Sequence, residues 1–485
     1  MSKVLEALAR HAAERPHATA LVGEGRAITY AQLERKVRRT AEWLEERLSD
    51  AAPGAPVAIA LDNGPAWVVL DLALIRLGRP SLPLPPFFTP DQVQHALRDA
   101  GACAILRPPA GALDPAAEIA GAPVAARRLG LLPRPLHAGT AKITYTSGST
   151  GRPKGVCLSQ AQLEAVAASI VEVIGAPFAD RHMAVLPLGV LLENVAGLYP
   201  VLLAGGCYQA LPLAEIGFAP GQRPDIGRLI DVVERDGVTS LILVPELLRG
   251  LVLWLGFSGR RLPNLRLVAV GGARVSSKLI AGARAVGVPA YEGYGLSECG
   301  SVVALNTPWA DRTGTAGRVL PHLEVRLEAD GELVAGPRPF LGYVGGPRQD
   351  GPVHTGDLCT MDADGYVSVV GRKSNVLITS FGRNVSPEWV ESELLAQPEI
   401  AQSIVFGDGA PELCALLVPS TPAVTPDDLE AAVARANAAL PSYARIGRWR
   451  LRPPLDPLAD EVTANGRPRR ATLRETHRDF IEAES

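Results

Sequence analysis

The stretch YTSGSTGRPKG, Tyr145 to Gly155, decides how the rest of the chain is read. It follows the apolar run KITY and precedes helix-like sequence. Its glycines let backbone N–H groups turn inward around an anion. Thr146, Ser147, Ser149, Thr150 and Lys154 add hydrogen-bond donors or charge suited to phosphate oxygens. The final Gly-Lys-Ser/Thr of a P-loop is missing, so this is a phosphate cradle of another kind. A shorter Gly/Ser run would read as a plain polar loop; this order of residues points to phosphate.

Working outward, strand-like and helix-like segments alternate. ITYAQLERKVRRTAEWLEERL has apolar residues at helical spacing, with Thr29 as its cap. PVAIALDN reads as a buried strand and AWVVLDLALIRLG as the helix after it. RLIDVVERDG then VTSLILVP, and LRLVAVGGA then SSKLIAGARAVG, continue the pattern. Such alternation predicts parallel sheets covered by helices. Past about residue 310 the texture changes: LEVRLEADGELVAG and DLCTMDADGYVSVVGR alternate with period two around DG turns, as antiparallel hairpins do. Beyond Gly371 lies a small α+β unit. The expected fold is therefore α/β: a large N-terminal domain of parallel sheets with a small β subdomain, residues 1–372, and a small mobile α+β domain, residues 373–485.

Bulk composition sets limits. With 485 residues the chain exceeds a single core. Hydrophobic residues at 47% and charged residues at 20% are ordinary for a globular protein, and a net charge of −3 gives no electrostatic reason to bind nucleic acid or an anionic membrane. Six cysteines are scattered with no CxxC pair, so neither a zinc site nor a disulfide framework is signalled, which fits a reducing cytoplasm. The start of the chain carries charges throughout and has no signal-like apolar core, and the most apolar run, WVVLDLALI, is short and contains Asp71, so no integral membrane segment is expected.

The loop resembles the phosphate-binding signature of the adenylate-forming superfamily, which includes acyl-CoA and aryl-CoA synthetases. Later blocks match in order. YEGYGLSE (Tyr291 to Glu298) is similar to the family's adenine and metal block, and HTGDL (His354 to Leu358) to its ribose block. GRKSNVLITSFGRNVSPEWVE (Gly371 to Glu391) is similar to the interdomain block, and TANGRPRR (Thr463 to Arg470) to the terminal block. The resemblance spans essentially the whole chain.

It implies ATP-dependent activation of a carboxylic acid as an acyl-adenylate, then transfer to a thiol to give an acyl-CoA. Thr146, Ser147, Gly148, Ser149, Thr150, Gly151 and Lys154 would hold the β- and γ-phosphates. Glu298 would coordinate Mg²⁺, a hard cation suited to oxygen ligands, and Ser297 would touch the α-phosphate. Tyr294 and Gly295, with Gly271, Gly272 and Ala273, would flank the adenine. Asp357 would take the ribose hydroxyls, with Arg372 assisting. LPLGVLLENVAGLYPVLLAGG (Leu186 to Gly206) aligns with the substrate wall. There Val190, Glu193, Asn194 and Gly271 are pocket candidates. The apolar character of this segment, which lacks the aspartate that amino-acid-activating relatives use, favours a fatty or aromatic acid. Ser374 stands at the hinge position. Gly382 stands in the loop that lines the pantetheine tunnel, which favours CoA or a phosphopantetheinyl carrier protein as acceptor.

One position departs from the pattern. Aligned on Asn465-Gly466, the family's adenylation lysine falls at Arg467, and no lysine follows Lys373. Arginine keeps the charge but is planar and bulkier. The resemblance leaves four readings open: an acid–CoA ligase served by Arg467, with Arg469 or Arg470 as alternative cations; an acid–carrier-protein ligase; an adenylating enzyme with a non-thiol acceptor; and a nucleotide-binding pseudoenzyme.

Overall fold

The structure is a computed structural model that describes residues 2–111, 114, 116–146, 153–219, 224–456, 459, 461, 462 and 468–483. The chain packs as two compact units. The first comprises Met1–Gly272, Gly282–Val325 and Ala335–Val353; the second comprises Ala273–Ala281, Arg326–Val334 and His354–Ser485. Residues 354–372 thus pack within the second unit.

Among the described residues the first unit holds two large sheets. The eight-stranded sheet has a parallel centre, Thr140–Thr146, Ser81–Pro83, Val57–Ile59 and Ala104–Arg107, with antiparallel strands at both flanks. The nine-stranded sheet has a longer parallel run, from Thr19–Gly23 through Cys207–Gln209, Arg181–Met183, Ser240–Leu243 and Leu267–Val270 to Ala290–Tyr294. Its ends are antiparallel. The sheets are therefore mixed, where alternation alone suggested parallel ones.

The helices follow the sequence closely. Thr29 caps Tyr30–Arg47 with a full capping box: its hydroxyl accepts from the Gln32 amide, and its own amide donates to Gln32 Oε1 at 2.9 Å. Such a cap contributes about 1 kcal/mol. Pro65–Leu77 is apolar on nearly every side and is buried from Pro65 through Leu74, as expected of a helix without a polar face. Asp71 is the one ionisable side chain in that buried stretch.

One local reading changes. The stretch Tyr145 to Gly155 reads as preceding helix-like sequence, with no strand placed between. Instead Lys154–Ser159 returns antiparallel to Thr140–Thr146, and helix Gln160–Ile174 begins only afterwards. The connection is too short for a parallel crossover, which needs a dozen or more residues, so the chain closes a hairpin.

In the second unit, Val353–Met361 and Val367–Arg372 form the antiparallel pair that the DG turn predicts. Asp362 Oδ1 accepts from the amides of Asp364 and Tyr366, both at 3.0 Å, and fixes that turn. A three-stranded sheet, Ile400–Phe406, Leu413–Pro419 and Ile446–Leu451, packs with helices Pro387–Leu395 and Pro426–Ala438 around Val390, Leu394, Val405, Leu417, Leu429 and Val433. All six cysteines are buried and unbridged, and burial pushes the Cys157 thiol up to about 11. Among the described residues no helix is long and apolar enough to cross a membrane.

Candidate active site

The hairpin sets the two ends of the candidate phosphate-binding stretch. Thr146 pairs directly with Lys154, so the two ends of residues 147–153 are held side by side. Ser147, Gly148, Ser149, Thr150 and Gly151 lie outside the described residues. One step back from the loop, Tyr145 pairs with Gly155 and donates from its hydroxyl to Asp99 Oδ2 at 2.7 Å. Burial, reinforced by that carboxylate, pushes the phenol far above its ordinary range, so it stays a neutral donor. His95 Nε2 lies 3.0 Å from the carbonyl of Pro153 and steadies the descending arm.

Lys154 is exposed, with its ammonium 5.6 Å from the ring centroid of Tyr343, within cation–π range. Tyr343 sits on the short strand Gly342–Tyr343, paired with Val156. Its hydroxyl donates to Glu298 Oε1 at 2.8 Å, and its carbonyl lies 3.0 Å from His137 Nε2. Lysine, phenol and carboxylate thus form one continuous group at the foot of the loop. Sequence reasoning missed Tyr343, His95 and His137. Tyr343 in particular lies 45 residues from Glu298, and only strand pairing brings it there.

Glu298 lies in the one-turn helix Ser297–Cys299, just beyond strand Ala290–Tyr294. Ser297 and Tyr294 are half-buried beside it in sequence. Gly295 permits the turn between them: a Cβ there would lie 1.7 Å from the carbonyl oxygen of Ser301. Gly271 and Gly272 end strand Leu267–Val270, and a Cβ on Gly271 would touch the Gly293 carbonyl at 3.0 Å. The Gly-Gly turn and the Tyr291–Glu298 block therefore meet backbone to backbone.

The Glu298 carboxylate is an oxygen donor of the kind that hard divalent cations such as Mg²⁺ take. Among the described residues no group of three or more His, Cys, Asp or Glu is arranged to hold a metal ion.

Two of the pocket candidates, Glu193 and Asn194, have buried side chains. Both belong to the π-helix Leu192–Leu198 and are essentially inaccessible. Glu193 Oε1 takes a 3.0 Å bond from His182 Nε2 and a 2.9 Å bond from the Tyr208 hydroxyl. Asn194 is bonded to Lys142 and Asp71. Val190 remains half-buried, where the chain turns on a 2.8 Å bond from its amide to the Pro187 carbonyl.

In the second unit, Asp357 and Arg372 face each other across the hairpin, with Arg372 Nε 2.8 Å from Asp357 Oδ1. Asp357 is buried, while Arg372 is exposed. Ala273 is exposed in the same unit. Lys373, next to Ser374, is paired with Asp330 and lies 3.2 Å from Glu332. Burial alone would raise the Glu332 carboxyl, but the Gly356 amide and Lys373 bring it below its ordinary range. Ser374 lies in the short helical turn Lys373–Asn375. Gly382 has φ +69° and open space where a side chain would stand.

Arg467 lies outside the described residues, as do residues 463–466. Val462 and Pro468 pair as a bridge, and the Arg469 amide donates to the Glu461 carbonyl at 2.7 Å. Arg470 grips both oxygens of Glu391 and the carbonyl of Val405, so its guanidinium is already engaged as a structural clamp. This argues against its serving as a substitute cation.

A family profile described as AMP-binding enzyme matches residues 8–344, and one described as AMP-binding enzyme C-terminal domain matches residues 374–484. A feruloyl-CoA synthase of Amycolatopsis sp is 31% identical over 425 residues, covering 82% of this chain and 84% of that protein. A long-chain-fatty-acid–CoA ligase, FadD15, of Mycobacterium bovis is 26% identical over 521 residues, covering 86% of each. The crystal structure of the anthranilate CoA ligase AuaEII with anthranoyl-AMP superposes with a TM-score of 0.82 over 99% of this chain and 97% of that one, at 20% identity, which establishes the common fold. The chain belongs to the family of AMP-binding enzymes, among whose members similar to it are CoA ligases and synthases.

Proposed function

We propose that the protein uses ATP to convert an aromatic or fatty carboxylic acid into its acyl-adenylate and then passes the acyl group to a thiol, with CoA as the acceptor. A free carboxylate is a poor electrophile because its charge repels nucleophiles. Attack of a carboxylate oxygen on the α-phosphorus expels pyrophosphate and leaves a mixed anhydride. Thiol attack on its carbonyl then releases AMP. Catalysis of such steps is mainly positioning and electrostatics.

The observation that carries this reading is the Lys154–Tyr343–Glu298 group at the foot of a hydroxyl-rich loop. Lys154 and Thr146, with residues 147–151, suit the β- and γ-phosphates. Mg²⁺, when bound at Glu298, would offset the charge of the polyphosphate. Ser297 suits the α-phosphate, and Tyr294, Gly295, Gly271, Gly272 and Ala273 suit the adenine. Asp357 suits the ribose hydroxyls, with Arg372 holding that carboxylate in place. Arg467 takes the role of the adenylation cation. Gly382 leaves room for a pantetheine arm, and a hinge near Ser374 lets residues 373–485 turn against residues 1–372. The apolar surroundings of Val190 and the relatives named for feruloyl and long-chain acyl substrates support an acid without an ammonium group.

The test is the purified full chain with ATP, Mg²⁺ and a graded panel of free carboxylic acids, read by hydroxylamine trapping and by AMP and pyrophosphate release with and without CoA. Acyl hydroxamate with at least one aromatic or fatty acid, and CoA-dependent AMP release, are expected. No turnover with any acid of either class would refute the proposal. A phosphopantetheinylated carrier protein that displaces CoA, or pyrophosphate exchange with no thiol product, would reassign the acceptor.

A further inference from the structure

We infer that Glu193 and Asn194 are positioning residues for acid selectivity, acting without touching the acid by locking a π-helical wall segment to both sheets of the first unit. The inference rests on the functional reading above.

The two adjacent side chains reach in different directions. Asn194 turns to the eight-stranded sheet side. Its Oδ1 accepts from Lys142 Nζ at 2.6 Å, and its Nδ2 donates to Asp71 Oδ2 at 3.2 Å. Lys142 also pairs with Asp71 Oδ1 at 2.6 Å, and the Tyr199 hydroxyl donates to Asp71 Oδ2 at 2.7 Å. Glu193 turns to the nine-stranded sheet. It is held by His182 on Arg181–Met183 and by Tyr208 on Cys207–Gln209, while His182 Nδ1 lies 2.9 Å from Ser240 Oγ on a third strand. Glu193, Asn194, Asp71 and Lys142 are all 1% exposed or less.

Two further features make this a register lock. Gly197 sits one turn on within the same π-helix, and a Cβ there would lie 2.5 Å from Glu193 Oε1 and 3.0 Å from His182 Nε2. The carboxylate can fold back only because that side chain is missing. The start of the wall is pinned separately: Asn63 donates to the Leu186 carbonyl at 3.0 Å and accepts from the Leu188 amide at 2.7 Å. Between these anchors the chain carries Val190. A π-helix holds its residues in a different rotation from an α-helix and is costly unless something holds it; here the holders are buried, hydrogen-bonded and charged, and therefore specific in geometry. Lys142 lies on strand Thr140–Thr146, which runs to the mouth of the phosphate loop. The wall and the loop stem thus share one anchor.

The test uses the full chain and steady-state kinetics against the acid panel and ATP. Asn194→Ala removes the wall's bonds to Lys142 and Asp71 but leaves Lys142 and Asp71 paired; it should raise KM for the preferred acid about tenfold and change the ranking of acids, with KM for ATP within about twofold. Glu193→Leu should behave likewise, whereas Glu193→Gln, which keeps the acceptor for His182 and Tyr208, should recover most of the selectivity. Should Asn194→Ala fail to fold, Asn194→Ser carries the same expectation. Folded variants with unchanged acid KM and ranking overturn the inference. So does a uniform fall in kcat for every acid with ATP KM rising in step, which marks a merely structural role. Wild-type protein that turns over no acid removes the functional reading, and this inference with it; wild-type turnover with indifferent variants removes the inference alone.

Discussion

Arg470 Nη2 lies 2.7 Å from both carboxylate oxygens of Glu391, and Arg470 Nη1 donates to the Val405 carbonyl at 2.9 Å. The clamp fastens helix Pro387–Leu395 to the start of helix Arg470–Thr476, shortly after Arg467 in the sequence. Burial pushes the Glu391 carboxyl up against the pull of Arg470, so the pair holds a charge the interior would otherwise reject.

Removing one partner should therefore be costly. Arg470→Ala leaves a buried carboxylate unpaired and is expected to destabilise the second unit by about 3–5 kcal/mol, whereas an Arg470→Met/Glu391→Leu pair should recover most of the loss. Urea unfolding followed by tryptophan fluorescence reads this, because Trp389 and Trp449 pack on that unit's core. A single variant as stable as the wild type would show that the clamp carries no weight.

Arg467 makes a separate prediction. If it supplies the cation for adenylation, Arg467→Ala should slow ATP–pyrophosphate exchange by about 10²–10³, the usual loss for one well-aimed donor. Arg467→Lys should retain or raise exchange. Exchange that is indifferent to Arg467→Ala would remove this residue from the reaction.

The Tyr343–Glu298 bond sets an order of severity. Glu298→Gln should raise the Mg²⁺ concentration for half-maximal pyrophosphate release and lower kcat by about 10². Tyr343→Phe keeps the carboxylate but frees its orientation, and about a tenfold fall in kcat is expected. A Tyr343→Phe effect as large as that of Glu298→Gln would mean that the phenol has a direct role of its own.

His322 governs an acid-side effect. Both ring nitrogens are buried without a partner among the described residues, and burial lowers the imidazole pKa from 6.5 to about 4. The unfolded chain therefore takes up a proton first as pH falls. The contribution to stability is complete above about pH 6.5 and drains away toward pH 4. His322→Gln should flatten the decline in Tm across that window; parallel Tm profiles for variant and wild type would contradict it.

Much of this architecture could be read from residues alone. The Thr29 cap worked because Gln32 follows at the capping-box spacing, and the hairpin at Asp362 because DG chemistry is local. The topology around the Tyr145–Gly155 stretch was not legible, since an apolar run after a loop reads alike whether it returns as a strand or leaves as a helix. The buried partners of Glu193 and Asn194 were not legible, because a helical repeat does not reveal a π register and His182, Lys142 and Asp71 come from distant segments. Lys142 was passed over inside KITY for the same reason: its partner lies 71 residues away. The site-forming position of Tyr343 is set by strand pairing with Val156, which no local pattern encodes.

The six shielded thiols give the molecule a quiet background for chemical labelling. A cysteine introduced at the open Gly382 position, where no neighbouring atom lies within 4 Å of an added Cβ, would stand alone as the fast-reacting sulfur. A dye attached there would label that single position without first removing any native cysteine from the chain.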